Sequence, residues 1–145
     1  MTPGSGAIST TGILVEDCTG TAINMADNFV AVITDAVLTD GCDVIDENSE
    51  LLGGSQVSTT GFVSTSGDTV TLSGTTISGY DTGVESDGGT LSIIDNASIA
   101  GITLGAHAYD TQLMVNYADF DGGTSGVGLL VEDSGEALML SLIHI

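Results

Sequence analysis

Short stretches in which alternate residues are hydrophobic recur along the chain, separated by Gly, Asn and Asp. In residues 83–100, the apolar-containing runs 83–86, 90–94 and 97–100 are separated by the turn residues Asp87-Gly88-Gly89 and Asp95-Asn96. Alternation with a period of two is typical of strands that bury one face. No window has the apolar stripe of an amphipathic helix. The pattern therefore predicts an all-β chain whose unit contains three short strands, too short for a sandwich.

This unit repeats along the chain. Glycines at positions 12, 41, 61, 83, 105 and 126 or 128 are separated by 29, 20, 22, 22 and 21 or 23 residues. The long first interval predicts an insertion of about seven residues, as a loop or a short helix, between Ala22 and Leu38. The segment Ile13-Leu14-Val15-Glu16-Asp17 is nearly repeated by Leu129-Leu130-Val131-Glu132-Asp133. Self-similarity at a fixed period is typical of stacked repeats, so we expect a solenoid of about six coils.

Three segments resemble a known family: Gly61-Phe62-Val63, Leu72 through Gly79, and Leu91 through Gly101. Across roughly residues 6–138 the sequence resembles the right-handed parallel β-helix repeat family, the pectin-lyase-like solenoids. The resemblance implies a right-handed, single-stranded parallel β-helix. The glycine spacing after the first interval predicts 21–22 residues in each coil. It specifies function poorly, because lyases, hydrolases, phage tailspikes and adhesive surface proteins share this architecture.

Stacked coils place equivalent residues about 4.8 Å apart, so inward residues should form apolar stacks. The first strand is predicted to stack Val15, Val44, Phe62, Val84, Ala108 and Leu129. The second should stack Leu51, Leu72, Ile93 and Val115, and the third Ile8, Val37, Val57, Ile77, Ile99 and Phe120. Between the second and third strands, a left-handed turn is predicted at Gly54, Gly74, Asn96 and Asn116.

The end of the chain differs from the repeat. Residues 140–145, Leu-Ser-Leu-Ile-His-Ile, resemble one translated reading frame of the transposase end sequence used in DNA library preparation. We therefore expect residues 1–139 to be a β-helix fragment truncated at both ends, and residues 140–145 to be an adapter-derived tail. The alternative is a hydrophobic last strand. Uncapped coils at both ends predict end-to-end self-association of the fragment.

The charge composition excludes several classes of function. The chain has 20 Asp or Glu and no Lys or Arg, a net charge of −20. Without basic side chains to neutralise phosphates, we expect no nucleic-acid binding and no attraction to anionic membranes. No apolar run approaches the length of a membrane span, so membrane insertion is not expected. Cys18 and Cys42 could form one disulfide or be two buried small apolar residues.

An acidic turn is the candidate metal site. Five residues past each glycine lie Asp17, Asp46, Ser66, Gly88, Asp110 and Asp133. Asp is a common turn residue. The alternative is that Asp17, Asp46, Asp110 and Asp133 bind weak calcium ions between coils, nearest Asp110 and Asp133. No other cofactor is predicted.

The candidate catalytic residues are few. Asp119 and Asp121 alternate on one face of a strand-like run, and His107 is the only imidazole outside the suspected tail. A pair of carboxylates could serve as acid and base in glycoside hydrolysis. The alternative is that all three are solvated surface residues, with His107 pointing outward between Ala106 and Ala108.

The sequence thus predicts a non-catalytic segment of an extracellular or cell-surface β-helix protein, a structural or adhesive arm that could contact glycans. The alternative function is a fragment of a carbohydrate-active enzyme, a polysaccharide hydrolase or lyase, whose active residues lie mostly outside this chain. A lyase of this type needs a basic residue as catalytic base, and this chain has none.

Overall fold

The computed structural model describes residues 11–18, 22–32, 34–55, 58–65, 67–133 and 136–144. Regular structure in these residues consists of strands. In chain order they are β1 Thr11–Glu16, β2 Ile23–Ala26, β3 Phe29–Val32, β4 Asp35–Asp40, β5 Val44–Glu47, β6 Glu50–Gly53, β7 Thr60–Thr65, β8 Thr69–Ser73, β9 Thr76–Asp87, β10 Thr90–Ile94, β11 Ser98–Tyr109, β12 Gln112–Asp121, β13 Val127–Glu132 and β14 Ala137–His144. None of this part of the chain forms a helix long and apolar enough to cross a membrane.

The strands pair in parallel and form a β-solenoid of about five turns. Face 1 comprises β1, β4, β7, the second halves of β9 and β11, and β13. Face 2 comprises β2, β5, β8, β10, and the first halves of β12 and β14. Face 3 comprises β3, β6, the first parts of β9 and β11, and the ends of β12 and β14. The predicted all-β parallel solenoid is confirmed, with about five turns rather than six; the right-handed winding stays a prediction.

Inward residues of the three faces stack into one apolar core. The face 1 stack contains Ile13, Val37, Phe62, Val84, Ala106 and Leu129. One face 2 stack contains Val44, Val70, Leu91 and Leu113, and the face 3 stack contains Val30, Leu51, Ile77, Ile99 and Phe120. Burying one such side chain contributes about 1.5–3 kcal/mol, so these stacks are the main source of stability.

The sequence prediction is correct for the later coils and wrong for the first two. Val37 lies on face 1 rather than face 3, Val44 on face 2 rather than face 1, and Leu51 on face 3 rather than face 2. The error arose from Gly41, which lies in a turn at φ +69°. The position equivalent to the other glycines is Ala36, which is fully buried.

With Ala36 in that place, the repeat positions are 12, 36, 61, 83, 105 and 128, and the intervals are 24, 25, 22, 22 and 23 residues. The predicted seven-residue insertion is therefore wrong. Its residues form β2, β3 and the beginning of β4, which are ordinary members of the stack. The coils therefore contain 22–25 residues rather than the predicted 21–22, and the first two are the longest.

Smaller corrections concern layers and turns. Ala106, rather than Ala108, shares a layer with Val84 and Leu129; Ala108 is buried one layer along, beside Val131. Ile8 and Val57 lie outside the described residues.

The left-handed turn after face 2 is present, but its positive φ angles belong to Asp27, Asn48, Gly74, Asp95, Asn96 and Tyr117. Gly54 and Asn116 do not take this role, because Gly54 follows face 3 and Asn116 ends the face 2 part of β12.

The two nearly identical segments occupy equivalent places, since β1 and β13 are the outermost described strands of face 1. The last strand, β14, continues to His144 and pairs with β12. Residues 140–144 therefore lie where a hydrophobic last strand would place them. Their adapter origin stays a prediction.

Candidate functional site

The turn after face 1 contains three of the four aspartates predicted to bind calcium. Asp17, Asp110 and Asp133 follow β1, β11 and β13 and have φ angles of 53°, 46° and 50°. Gly41 and Gly88 occupy the same turn in other coils, also with positive φ. Gly and Asp accept the left-handed conformation more readily than most residues. The backbone requirement of the turn therefore accounts for these aspartates.

The calcium hypothesis for this turn stays a prediction. Within the described ranges, no group of three or more His, Cys, Asp or Glu side chains is arranged to hold a metal ion. Asp110 and Asp133 still follow each other in neighbouring coils, and the Asp110 N–H donates to the Glu132 carbonyl at 3.0 Å. Ser66, the predicted gap in the column, lies outside the described residues.

The prediction that the fourth aspartate, Asp46, lies in this turn is wrong. It lies on β5 and points into the core, where it is fully buried. In the register of face 2 it occupies the layer of Met25 and Leu72. The cause of the error is the misread register of the first coils: Val44 points inward, so Asp46, two residues further along the same strand, points inward as well. It cannot belong to an acidic column on the turn.

Two hydroxyl groups satisfy this buried carboxylate. The Ser49 hydroxyl donates to Asp46 Oδ1 at 2.6 Å and the Thr75 hydroxyl donates to Oδ2 at 2.8 Å. Ser49 Oγ in turn accepts the backbone N–H of Asn28 at 3.2 Å. Four residues from successive coils thus form one polar chain inside an apolar core, and a buried carboxylate is tolerated only with such partners.

Burial raises the pKa of Asp46, because desolvation penalises the charged carboxylate. The hydrogen bonds from Ser49 and Thr75 act in the opposite direction, and the neighbouring charge of Glu47 raises the pKa further. Burial is the largest of these effects, so Asp46 keeps its proton to a higher pH than an exposed Asp.

A second buried carboxylate, Asp68, lies in the turn between faces 1 and 2. Its Oδ1 accepts the backbone N–H of Cys42 at 2.8 Å. Desolvation raises its pKa, hydrogen bonds from Thr39 and the Cys42 N–H oppose this, and repulsion from Asp40 and Asp43 adds to it. Asp68 therefore fastens the third coil to the second beside the cysteine pair.

Cys18 and Cys42 form a disulfide, which settles the alternative that the sequence left open. The bond joins the turns that follow β1 and β4, with a Cα–Cα distance of 5.0 Å. Cys42 is buried against the core and Cys18 is partly buried. The disulfide is thus a covalent link between neighbouring coils.

Other aspartates also join coil to coil through backbone amides. Asp35 Oδ1 accepts the Thr60 N–H at 3.0 Å, and Asp43 Oδ1 accepts the Thr69 N–H at 2.8 Å. Asp81 accepts two bonds, from the Ser58 N–H at 3.0 Å and from the Thr103 hydroxyl at 2.7 Å.

The two donors on Asp81, the Thr103 hydroxyl first and then the Ser58 N–H, lower the pKa of its carboxyl. Sequence reasoning missed this function of the aspartates. The available signal was the absence of any Lys or Arg, which leaves hydroxyls and amides as their donors.

The predicted catalytic pair, Asp119 and Asp121, lies on the outer side of face 3, on either side of the buried Phe120. Asp121 Oδ1 accepts the Gly123 N–H at 2.8 Å, which closes the turn that follows β12. Asp119 lies beside Ser98 in the preceding coil. The two carboxylates thus share a face, as predicted.

His107 lies on a different face. On face 1 it is flanked by Glu85 and Leu130 in the neighbouring strands, and its Nε2 is 2.9 Å from Glu132 Oε2. The histidine is partly exposed, with its neighbours Ala106 and Ala108 buried, so its predicted outward orientation is confirmed. The structure therefore does not bring His107 together with Asp119 and Asp121.

Comparisons with known proteins find no family model, no curated protein and no solved structure that matches this chain. The resemblance to the pectin-lyase-like family therefore stays a prediction, and the parallel β-solenoid fold rests on the structure.

Proposed function

We propose that this chain is a non-catalytic segment of an extracellular or cell-surface β-solenoid protein, in which it acts as a rigid structural or adhesive arm. The observation that carries the proposal is the use made of the carboxylates. Asp35, Asp43, Asp68 and Asp81 each accept a backbone N–H from another coil. These carboxylates are therefore engaged in holding neighbouring coils together.

The disulfide supports the location. Disulfides persist in oxidising environments such as the cell exterior and the bacterial periplasm, and are rare in the cytosol. The disulfide closes a loop between Cys18 and Cys42, which are 24 residues apart. A loop of this length contributes about 3 kcal/mol to the free energy of unfolding by the loop-entropy estimate. Folding outside the cytosol, where the bond can form, would therefore give the more stable protein.

A glycan is the ligand class we propose for an adhesive role. Tyr109 and Tyr117 are 43% and 55% exposed, and aromatic rings of this kind can pack against apolar faces of a ligand while their hydroxyls remain in water. The absence of basic side chains disfavours anionic partners such as nucleic acids.

The test compares the oxidised chain with a Cys18→Ser/Cys42→Ser variant. We expect mass spectrometry to show that neither Cys18 nor Cys42 of the wild type is alkylated after secretion into the periplasm, because the two are joined in the disulfide. We also expect the wild type to resist proteinase K, and the variant to be about 3 kcal/mol less stable in urea and to be digested faster. Both proteins are then incubated with acidic and neutral polysaccharides. Release of reducing ends, or of unsaturated products, that Asp119→Asn or Asp121→Asn abolishes would overturn the non-catalytic proposal.

A further inference from the structure

Both ends of the solenoid present strands with one partner each among the described strands. On face 1, β1 pairs with β4 and β13 pairs with β11. On face 2, β2 pairs with β5 and β14 pairs with β12. Each of these strands therefore has a second edge on which another parallel strand could form hydrogen bonds.

The apolar core is also incompletely covered at these ends. Ile13 and Val15 in the first coil, and Leu129 and Val131 in the last, belong to the inward layers of face 1 but are only partly buried. Equivalent residues in the middle coils, such as Phe62 and Val84, are fully buried. A further coil is what completes their burial in the middle of the stack.

The two end strands match each other in sequence and position. The segments Thr-Gly-Ile-Leu-Val-Glu of β1 and Val-Gly-Leu-Leu-Val-Glu of β13 differ at two of six positions, both by one apolar or β-branched residue for another. Each ladder inside the stack pairs an inward residue with an inward residue, as Ala106 with Leu129. Placing β1 beside β13 would continue that ladder with Ile13 against Leu129 and Val15 against Val131.

We propose that a second copy of this chain docks head to tail on the last coil, with its β1 in parallel register beside β13. The interface continues the coil-to-coil interface already present in the molecule. The docking is proposed for this 145-residue chain on its own. In a longer solenoid protein of the kind proposed above, the adjoining coils would occupy the same two edges. A head-to-tail contact that does not close into a ring generates linear filaments.

Charge sets the conditions for this assembly. In the proposed register Glu132 lies beside Glu16 of the second copy, and no Lys or Arg in the chain can compensate. Like charges directly opposite each other are unfavourable, although the stack already tolerates Glu16 beside Asp40. Salt screens such repulsion over about 10 Å at 0.1 M. The filaments should therefore lengthen as the sodium chloride concentration rises.

Cysteine cross-linking tests the register. Leu14 is 53% exposed, and Leu130 lies at the same position of β13. In a parallel ladder their Cα atoms would be about 4.8 Å apart, within the range for a disulfide. We expect Leu14→Cys/Leu130→Cys to form a ladder of covalent oligomers on non-reducing gels under mild oxidation in high salt. Either single variant should remain monomeric on the same gels, because the docked register places no second introduced cysteine opposite the first.

Leu14→Cys/Glu85→Cys is the matched control. It carries the same number of added thiols, but Glu85 lies in the middle of face 1, on β9. A control ladder equal to that of the end pair, or a wild type that sediments as a monomer at every salt concentration, would overturn the proposal. So would a ladder that forms only after residues 1–10 are deleted, since it would assign the β1 edge to the chain's own N-terminal segment. Circular dichroism verifies that every variant remains β-structured.

Discussion

At the scale of single residues, Asp46 is the position where the chain departs most from its own repeat. Leu72, Ile93 and Val115 fill the same layer in later coils, whereas the second coil places a carboxylate there. The Ser49 and Thr75 hydroxyls satisfy both carboxylate oxygens. Hydrogen bonds offset only part of the cost of desolvating the charge. Asp46 should therefore weaken the fold when it is ionised.

Asp46→Asn should make stability less dependent on pH. Burial raises the pKa of Asp46 in the folded state above its ordinary value of 3.8, so the folded state binds more protons than the unfolded state at intermediate pH. Its stabilising contribution is present in full below pH 3.8 and is lost as the pH rises through the folded-state pKa. Asparagine does not titrate; its Oδ1 can accept from one of the two hydroxyls, and its Nδ2–H can donate to the oxygen of the other. We expect the variant to be the more stable protein at about pH 7, as measured by urea unfolding from about pH 4 to pH 7.

Asp81→Asn is a control for which stability should change with pH in the opposite direction. Hydrogen bonds lower the pKa of Asp81, so its contribution is present above the unfolded-state pKa and is lost as the pH falls through the folded-state value. This variant should lose stability at neutral pH and keep it in acid. Burial also raises the pKa of Asp68. Asp68 is present in the wild type and in both variants, so its effect cancels from the comparison. Parallel pH profiles for the wild type and Asp46→Asn would contradict the assignment.

At the scale of the elements, a ladder of small residues lies where face 3 turns into face 1. It comprises Gly12, Ala36, Gly61, Gly83, Gly105 and Gly128. A Cβ atom on Gly83 would lie 2.4 Å from the Gly105 carbonyl oxygen and 2.7 Å from Ile99 Cγ2. We expect Gly83→Ala to cost about 1–3 kcal/mol, because the neighbouring coil has to move. Gly41→Ala is the matched control, because its Cβ would meet nothing within 4 Å. Its only cost is that of placing an alanine in the left-handed conformation at φ +69°, about 1 kcal/mol of stability. Urea unfolding of both variants measures the difference, and equal losses would mean that crowding in the ladder is not the constraint.

The same ladder explains what the sequence could and could not predict. In the later coils, the glycines and the apolar layers Leu72–Ile93–Val115 and Ile77–Ile99–Phe120 were placed correctly, because periodicity alone fixes which residues point inward. In the first coils Ala36 replaces the glycine while Gly41 supplies a turn, so the glycine pattern shifted the register. Asp46 was misplaced for the same reason. The disulfide could not be decided, because two cysteines in a sequence do not indicate their distance in space.

At the scale of the whole molecule, the charge is of one sign. Twenty acidic side chains and no Lys or Arg give a net charge of −20, which favours solubility but destabilises the compact state through self-repulsion. The aspartates that accept backbone amides reduce this repulsion only locally. Dissolved cations are therefore the main compensation, and the melting temperature should rise with ionic strength.

Whether calcium does more than screen this charge is decided at the turn after face 1. Asp17, Asp110 and Asp133 have the same left-handed conformation as Gly41 and Gly88, so the backbone is reason enough for their presence. A site with a Kd of about 1 mM would add about 1.4 kcal/mol at about 10 mM calcium. We expect no such gain: melting temperatures in calcium chloride and sodium chloride should agree at matched ionic strength. They should also respond alike in Asp110→Asn/Asp133→Asn. A higher melting temperature in calcium that this double variant loses would instead establish calcium bridging between the last two coils.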